Sequence, residues 1–308
     1  MRTRYLGVLL LLGAVWGASF LFIKIGVQEL APETLVALRL IIASLVLLGV
    51  LYTRGLRLPT RGRTWLDFLF LGVIGLIFPY LLITWSEQSI PSGMAAILNA
   101  TTPLFSVLMA YFWTREERLG GLKLLGVALG FAGVVVAVGV EELDLARADT
   151  QAQLAVLVAA ACYGISGIYG RRAFRGIPAL VPATGQMLMG ALLIGPYALA
   201  VRGVPSPLPS ATALWAVVAL AVLGTAMAYI LLYWLMERIG ATRTSMVTYL
   251  LPPFALVYGA LFLQERIALN AVLGLGLVIV GILLANGILR LPALGKRADI
   301  PNVGKLEG

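Results

Sequence analysis

Apolar runs of membrane-spanning length recur along the chain from Tyr5 almost to Arg290, separated by short stretches rich in Arg, Glu, Pro and Gly. A bilayer's hydrocarbon core takes about 20 such residues per helix, because only helices and closed barrels satisfy every backbone donor and acceptor in lipid. In the first half the runs extend from Tyr5 to Gly26, Glu33 to Tyr52, Trp65 to Glu87, Ser92 to Trp113 and Leu122 to Val140. In the second they extend from Ala152 to Gly170, Ala179 to Val201, Ala211 to Met236, Thr242 to Leu263 and Leu269 to Arg290. The pattern predicts an all-α integral membrane protein with ten transmembrane helices.

The two halves repeat one another. Trp16-Gly17-Ala18-Ser19 corresponds to Tyr163-Gly164-Ile165-Ser166, Arg39 falls opposite Gln186, and Pro103 with Glu116 returns as Pro252 with Glu265 at the same spacing. An odd number of helices per copy turns the second copy over. The expectation is therefore two inverted five-helix repeats around a central cavity, 1–145 and 146–291, followed by a polar, disordered cytoplasmic tail, 292–308.

Charge sets the direction. Of 23 Lys and Arg residues, eighteen fall in alternate loops and ends on one side, among them Arg54, Arg61, Arg171, Arg243 and Lys296, against Arg147, Arg202 and Arg266 on the other. Basic loops stay in the cytoplasm, so both termini are expected there, in a bacterial inner membrane, with Glu141, Glu142 and Asp144 outside. The N-terminal stretch has the charge and apolar run of a signal peptide, but it lacks a convincing cleavage site and continues to Lys24, which predicts a retained first helix.

Composition narrows the chemistry. With 60% hydrophobic and 12% charged residues, the 308-residue chain could not clothe a soluble domain. A net charge of +9 spread over short loops orients a membrane protein, and no nucleic-acid motif accompanies it. His is absent and Cys162 is the one cysteine, which removes the usual metal ligands, any internal disulfide and the enzymes built on them, so no metal, cofactor or catalytic residue is expected.

At Trp16-Gly17 with Ser19 and Lys24, Leu38-Arg39, Pro103 before Glu116-Glu117-Arg118-Leu119, and Pro252 before Gln264-Glu265-Arg266-Ile267, the chain resembles the drug/metabolite transporter superfamily, and within it the ten-helix EamA family. The resemblance implies a pair of five-helix bundles around a cavity and an exporter of amino acids, other metabolites or cationic drugs. The expected function is alternating-access export of aromatic or hydrophobic amino acids and similar amphipathic compounds. A multidrug or organic-cation exporter, a channel or scaffold, and a membrane-embedded enzyme are the alternatives.

Depth selects the candidate lining. Trp16 lies twelve positions past Arg4, roughly 18 Å along a helix and near mid-bilayer. Tyr80, Tyr163, Tyr229 and Tyr249 are mid-span as well, whereas Trp65, Trp85, Trp113, Trp215 and Trp234 suit an interfacial belt. Helical spacing adds Thr84 and Glu87 to Tyr80, joins Asn99 to Thr102, and lines Ser245 up with Thr248 and Tyr249. Ser19, Phe20, Ser166 and Tyr233 complete the set, and each polar member could equally be glue between helices.

Pro103, Pro252 and Pro253 are candidate hinges because they delete backbone donors inside apolar spans. Lys24 is expected to snorkel to the interface, and Arg39 to recognise charge, pairing with Glu29, Glu33 or a solute carboxylate. Glu117 and Glu265 read as helix-end ion pairs with the arginines that follow them, and Gly126, Gly130, Gly133, Gly274, Gly276 and Gly281 as close helix contacts, including a possible homodimer face. Every Asp and Glu sits at a span end or in a loop, with Glu87 expected to be hydrated at the outer interface. That distribution predicts facilitated diffusion or exchange with no proton coupling, with small solutes and membrane lipids as the remaining partners.

The charge asymmetry yields a first prediction. Single cysteines at positions 61 and 144, introduced into a Cys162→Ala background, should react with an impermeant maleimide from the cytoplasmic side and from outside respectively. Labelling of position 61 in intact cells would reverse the topology.

Overall fold

The computed structural model describes residues 3–114, 120–139 and 146–289. Expectations placed on Glu116, Glu117, Arg118, Glu141, Glu142, Asp144, the boundary at 145 and the tail 292–308 lie outside the described residues.

All the described regular structure is helical. Eight helices are long and apolar enough to cross a membrane: α1 (Thr3–Gly26), α2 (Pro32–Thr53), α3 (Gly62–Ser86), α4 (Ser92–Trp113), α5 (Gly121–Val138), α6 (Ala148–Ala173), α7 (Leu180–Arg202) and α8 (Ala211–Ile239). Two shorter apolar helices follow, α9 (Val247–Phe262) and α10 (Leu269–Ala285). The chain is a multi-pass membrane protein. α9 is shorter than its sequence span because a separate turn, Ala241–Thr244, precedes it and Gln264 follows it in the left-handed region at φ 55°, and α10 ends at Ala285, before a turn with Gly287 at φ 68°.

These helices are apolar all round, as expected of elements packed between protein and lipid. Leu45, Leu199, Trp215 and Leu261 stand 60–72% exposed on the outer surface, where hydrocarbon chains cover them. Inside, Phe20, Leu35, Leu98, Leu104, Val156, Leu220, Leu251 and Val278 join both halves in one core.

The pairings are reciprocal. α1 packs on α9 while α6 packs on α4, α2 packs on α7, and α5 packs on α10. Gly17 lets α1 touch α9, since a Cβ there would lie 3.0 Å from the Leu251 carbonyl oxygen; its counterpart Gly164 lets α6 touch α4, 3.0 Å from the Ser106 amide.

Three helices are locally rewound. α3 and α8 pass through π-helical stretches at Val73–Ile77 and Val222–Met227, and α4 is interrupted at Ala100 and Thr101, just before Pro103. Such insertions loosen backbone hydrogen bonding and frequently mark functional sites. Pro252 and Pro253, by contrast, lie within the uninterrupted α9.

The glycines read as close contacts find their partners within the chain. A Cβ on Gly126 would come within 2.4 Å of the Ala285 amide, on Gly133 within 2.7 Å of the Val278 amide, and on Gly281 within 2.4 Å of the Gly130 amide. Backbone therefore meets backbone along the α5–α10 seam. The homodimer expectation loses these glycines as its basis, because their faces are already filled; Gly276 alone of the set faces open space.

Gly133→Leu should thus lower the thermal stability of the purified protein by an overpacking cost of about 1–3 kcal/mol or more. Gly276→Leu should leave the melting temperature unchanged. Equal losses in a detergent melt would place the seam elsewhere.

Candidate transport cavity

A cavity of ≈ 220 Å³ is lined by Tyr80, Ile83 and Tyr229, which follow the rewound segments of α3 and α8. Helix α1 contributes Trp16, Ser19, Phe20 and Ile23; α2 contributes Arg39; α3 contributes Tyr80 and Ile83; α4 contributes Asn99, Ala100 and Thr102. The second half adds Tyr163, Tyr229, Thr248 and Leu251. A second cavity of ≈ 450 Å³ shares Tyr163 and Tyr229 with the first and runs toward the ends of α6 and α8, past Ser166, Gln186, Tyr233, Arg171, Met236 and Ser245. The two tyrosines are the partition between a chamber and a vestibule.

Most of the expected lining is brought together, but in two places. Trp16, Ser19, Phe20, Tyr80, Asn99, Thr102, Tyr163, Tyr229 and Thr248 surround the chamber, while Ser166, Tyr233 and Ser245 line the vestibule. Thr84 lines neither: it is fully buried, with its Oγ1 lacking a hydrogen-bond partner. Tyr249 also misses both, its hydroxyl accepting from the Asn286 amide at 3.2 Å, just past the end of α10.

Ser19 and Ser166 act as lining and as contact residues. A Cβ on Gly224 would meet the Ser19 hydroxyl at 2.4 Å, and one on Gly75 would meet the Ser166 side chain at 3.1 Å. Each glycine lies in a π-helical stretch, so the same device serves α1 against α8 and α6 against α3.

Arg39 dominates the chamber's electrostatics. Only 5% exposed, it donates from Nε to Thr225 Oγ1 at 2.9 Å and stacks its guanidinium 3.7 Å from the centroid of the Tyr80 ring. Thr225 in turn donates to the Leu220 carbonyl at 2.9 Å, a bond back across the widened turn. The two acids that might have neutralised Arg39 are engaged elsewhere. Glu29 accepts from Ser210 N and Oγ at 2.6 Å each, which lowers its pKa, and Glu33 holds Arg202 at 3.1 Å. Among the described residues no carboxylate lies within ion-pair distance of Arg39. Thr225 was not foreseen; a Gly-Thr pair in an apolar run gives no sign of the widened turn that aims the hydroxyl.

Three expectations about charge need correction. Lys24 does not snorkel: its ammonium donates to the backbone carbonyls of Glu87 and Ile90, at 2.5 and 3.0 Å, capping the exposed C-terminal end of α3. Glu265 does not pair with Arg266; its carboxylate accepts from Ser92 N at 2.9 Å, Ser92 Oγ at 2.8 Å and Gly93 N at 3.4 Å, capping the start of α4. Gly259 makes room for it, since a Cβ there would lie 2.5 Å from Glu265 Oε2.

Glu87 is the third. It is fully buried, and neither carboxylate oxygen has a hydrogen-bond partner. Lys24 and Glu265 tie α1 and the segment after α9 to the same turn. An expected absence of proton coupling that rested on a hydrated Glu87 has lost its premise.

The geometry describes a chamber between two halves, and the sequence comparisons say what such proteins are. The profile of the EamA-like transporter family matches residues 4–139 and again 150–287. The chain belongs to that family.

It is a transporter, in keeping with its relatives. The uncharacterized inner membrane transporter YedA of Escherichia coli is 26% identical over 291 residues, covering 93% of each chain. The uncharacterized transporter YoaV of Bacillus subtilis is 25% identical over 268 residues, 87% of this chain and 91% of that one. A probable terminal-alkyne amino-acid exporter of Streptantibioticus cattleyicolor is 29% identical over 299 residues, 96% of this chain and 97% of that one. A crystal structure 21% identical in sequence superposes with a TM-score of 0.67, covering 94% of this chain and 98% of its own, and shares the fold.

Removing chamber side chains should separate transport from folding. Trp16→Ala and Tyr80→Ala should each reduce transport per molecule at the membrane about tenfold or more, a loss of ~1.4 kcal/mol in transition-state or binding energy. Trp215→Ala, on the lipid side, should leave it near normal. Equal losses in all three, after correction for surface expression, would mean that the chamber is not the pathway.

Proposed function

We propose that this family member exports small amphipathic metabolites bearing a carboxylate, foremost amino acids with aromatic or other hydrophobic side chains. One observation carries the reading: a buried guanidinium without an acidic partner faces a chamber walled by Trp16, Phe20, Tyr80, Tyr163 and Tyr229. A planar, permanently charged fork takes a carboxylate in two hydrogen bonds, and the aromatic wall takes the apolar body. Asn99 places a buried, unpartnered oxygen in the same wall, an acceptor for a solute amino group. The printed name of the Streptantibioticus relative is consistent with such a solute.

Alternating access follows from the expected repeat. In this reading the halves are inverted five-helix bundles, both termini are cytoplasmic, and the protein sits in a bacterial inner membrane. The vestibule beside Arg171 is the cytoplasmic approach, so the structure is the inward-open arrangement, with Tyr163 and Tyr229 at its threshold.

Counterflow in proteoliposomes tests the solute. Aromatic amino acids should show saturable trans-stimulation, and their amides, which lack the anionic carboxylate, should compete at least tenfold more weakly. Arg39→Gln should erase that discrimination, and Arg39→Lys should restore it only in part, because an ammonium lacks the fork and the stack on Tyr80. Organic cations carried by the parent as well as amino acids would overturn the assignment.

A further inference from the structure

The turn between α3 and α4, residues 87–92, is held from both halves of the molecule. Lys24 of α1 binds its carbonyls at Glu87 and Ile90, and Glu265, from the segment after α9, binds the amides of Ser92 and Gly93. Immediately within this grip Ile23 and Ile83 form part of the chamber wall, one residue from Lys24 and one turn from Glu87. With the Arg-poor loops taken as the outer side, as in the functional reading above, this is the layer that closes the chamber to the outside.

The Glu87 side chain sits in that layer without a structural task. Among the described residues its carboxylate accepts no hydrogen bond and stands within ion-pair distance of no cation. One turn earlier on the same face, the Thr84 hydroxyl is fully buried and unpartnered too. A carboxylate that merely filled space would be replaced to advantage by a neutral side chain, since an ionised group without donors in a dry interior is strongly disfavoured. The neutral acid carries its own donor and escapes most of that penalty.

We propose that Glu87 is a proton-binding site whose occupancy holds the outer face of the transporter closed. Closure buries the carboxyl and favours COOH. Opening, which parts the turn from Lys24 and Glu265, admits water and favours the carboxylate with release of the proton. By linkage, a group that binds its proton more tightly in one state draws the molecule into that state.

Burial sets the direction, and the surrounding charges only modify it. Burial raises the Glu87 pKa well above the ordinary carboxylate range, Lys24 and Arg39 oppose the rise, and Glu265 adds to it. On α6, which packs against α3, Asp149 lies toward solvent beside Arg147 at 3.5 Å. Because the closed-state pKa is the higher one, closure is fully supported below the pKa of the hydrated acid. That support is lost as pH rises through the closed-state value. External acidity therefore favours the inward-open form of the emptied carrier.

Spin labels at Ser89 and Ile267, exposed residues on the two halves of the outer face, report the gate without any solute present. Pulsed EPR distances are measured in lipid nanodiscs, in a Cys162→Ala background and in potassium buffers from about pH 5 to pH 9. The parent should show a short distance in acid and a growing longer population as pH rises, and Glu87→Gln should hold the short distance throughout. Infrared spectra should show a protonated carboxyl band in the parent at neutral pH that is missing from Glu87→Gln. A parent distance indifferent to pH, a pH response unchanged in Glu87→Gln, or a response that follows sodium instead of pH would each overturn the proposal. Since no solute enters the measurement, its failure leaves the Arg39 reading intact, and failure of the counterflow panel leaves this one intact.

Discussion

Hydrocarbon offers no hydrogen bonds, and every polar group inside the membrane must find its partner within the protein or in a water-filled space. Most of the architecture follows from where those groups go. Arg39 is the extreme case, a permanent charge that can be neither neutralised nor hydrated by lipid. It is held by a ring face and a hydroxyl, Tyr80 and Thr225, each presented by a helix with a π-helical stretch beside it. Those rewound turns are also where Gly75 and Gly224 admit Ser166 and Ser19. A cavity, two irregular helices and a close serine–glycine contact on each side thus answer one requirement.

The parts legible in the sequence were those fixed by local periodicity. Span-length apolar runs, the one-sided distribution of arginine and the depth of Trp16 and Tyr80 depend on short stretches of chain, and residues at such depth have few places to go. Arg39 stood out for the same reason. What could not be read was any partner supplied by a distant segment. Lys24 has the stem to snorkel, and nothing near it in sequence shows that the end of α3 stands 63 residues away with free carbonyls. Glu265 precedes an arginine, and only the reversed turn at Gln264 directs it 173 residues back to Ser92. The glycines declared close contact, but a small-residue stripe does not say whether its partner is another helix of the chain or another copy.

Glu87 shows the same limit from the opposite direction. Its sequence position, the last residue of a span, suggests water, and its burial comes from elements distant in sequence. Distance along a helix does not measure hydration. A span end is wet only where neighbouring elements leave it open.

The halves are related by their contacts and not by their charges. Arg39 is matched by Gln186, which lines the vestibule and lies 3.8 Å from where a Gly75 Cβ would be. A second arginine there would put another uncompensated cation at the threshold. A neutral carboxamide leaves a graded path, polar without charge at Ser166, Gln186 and Tyr233, then cationic in the chamber. The layer at the α3–α4 turn is built on the opposite plan, with Lys24 and Glu265 each engaged by several backbone groups of one turn. Charge-assisted contacts of that kind are strong when dry and weaken when water enters, so they suit a seal that must open completely. The threshold at Tyr163 and Tyr229 presents aromatic rings, which suit passage of a solute with an apolar body. A chamber bounded by charge-assisted contacts at one end and by aromatic rings at the other can have different opening energies at its two ends.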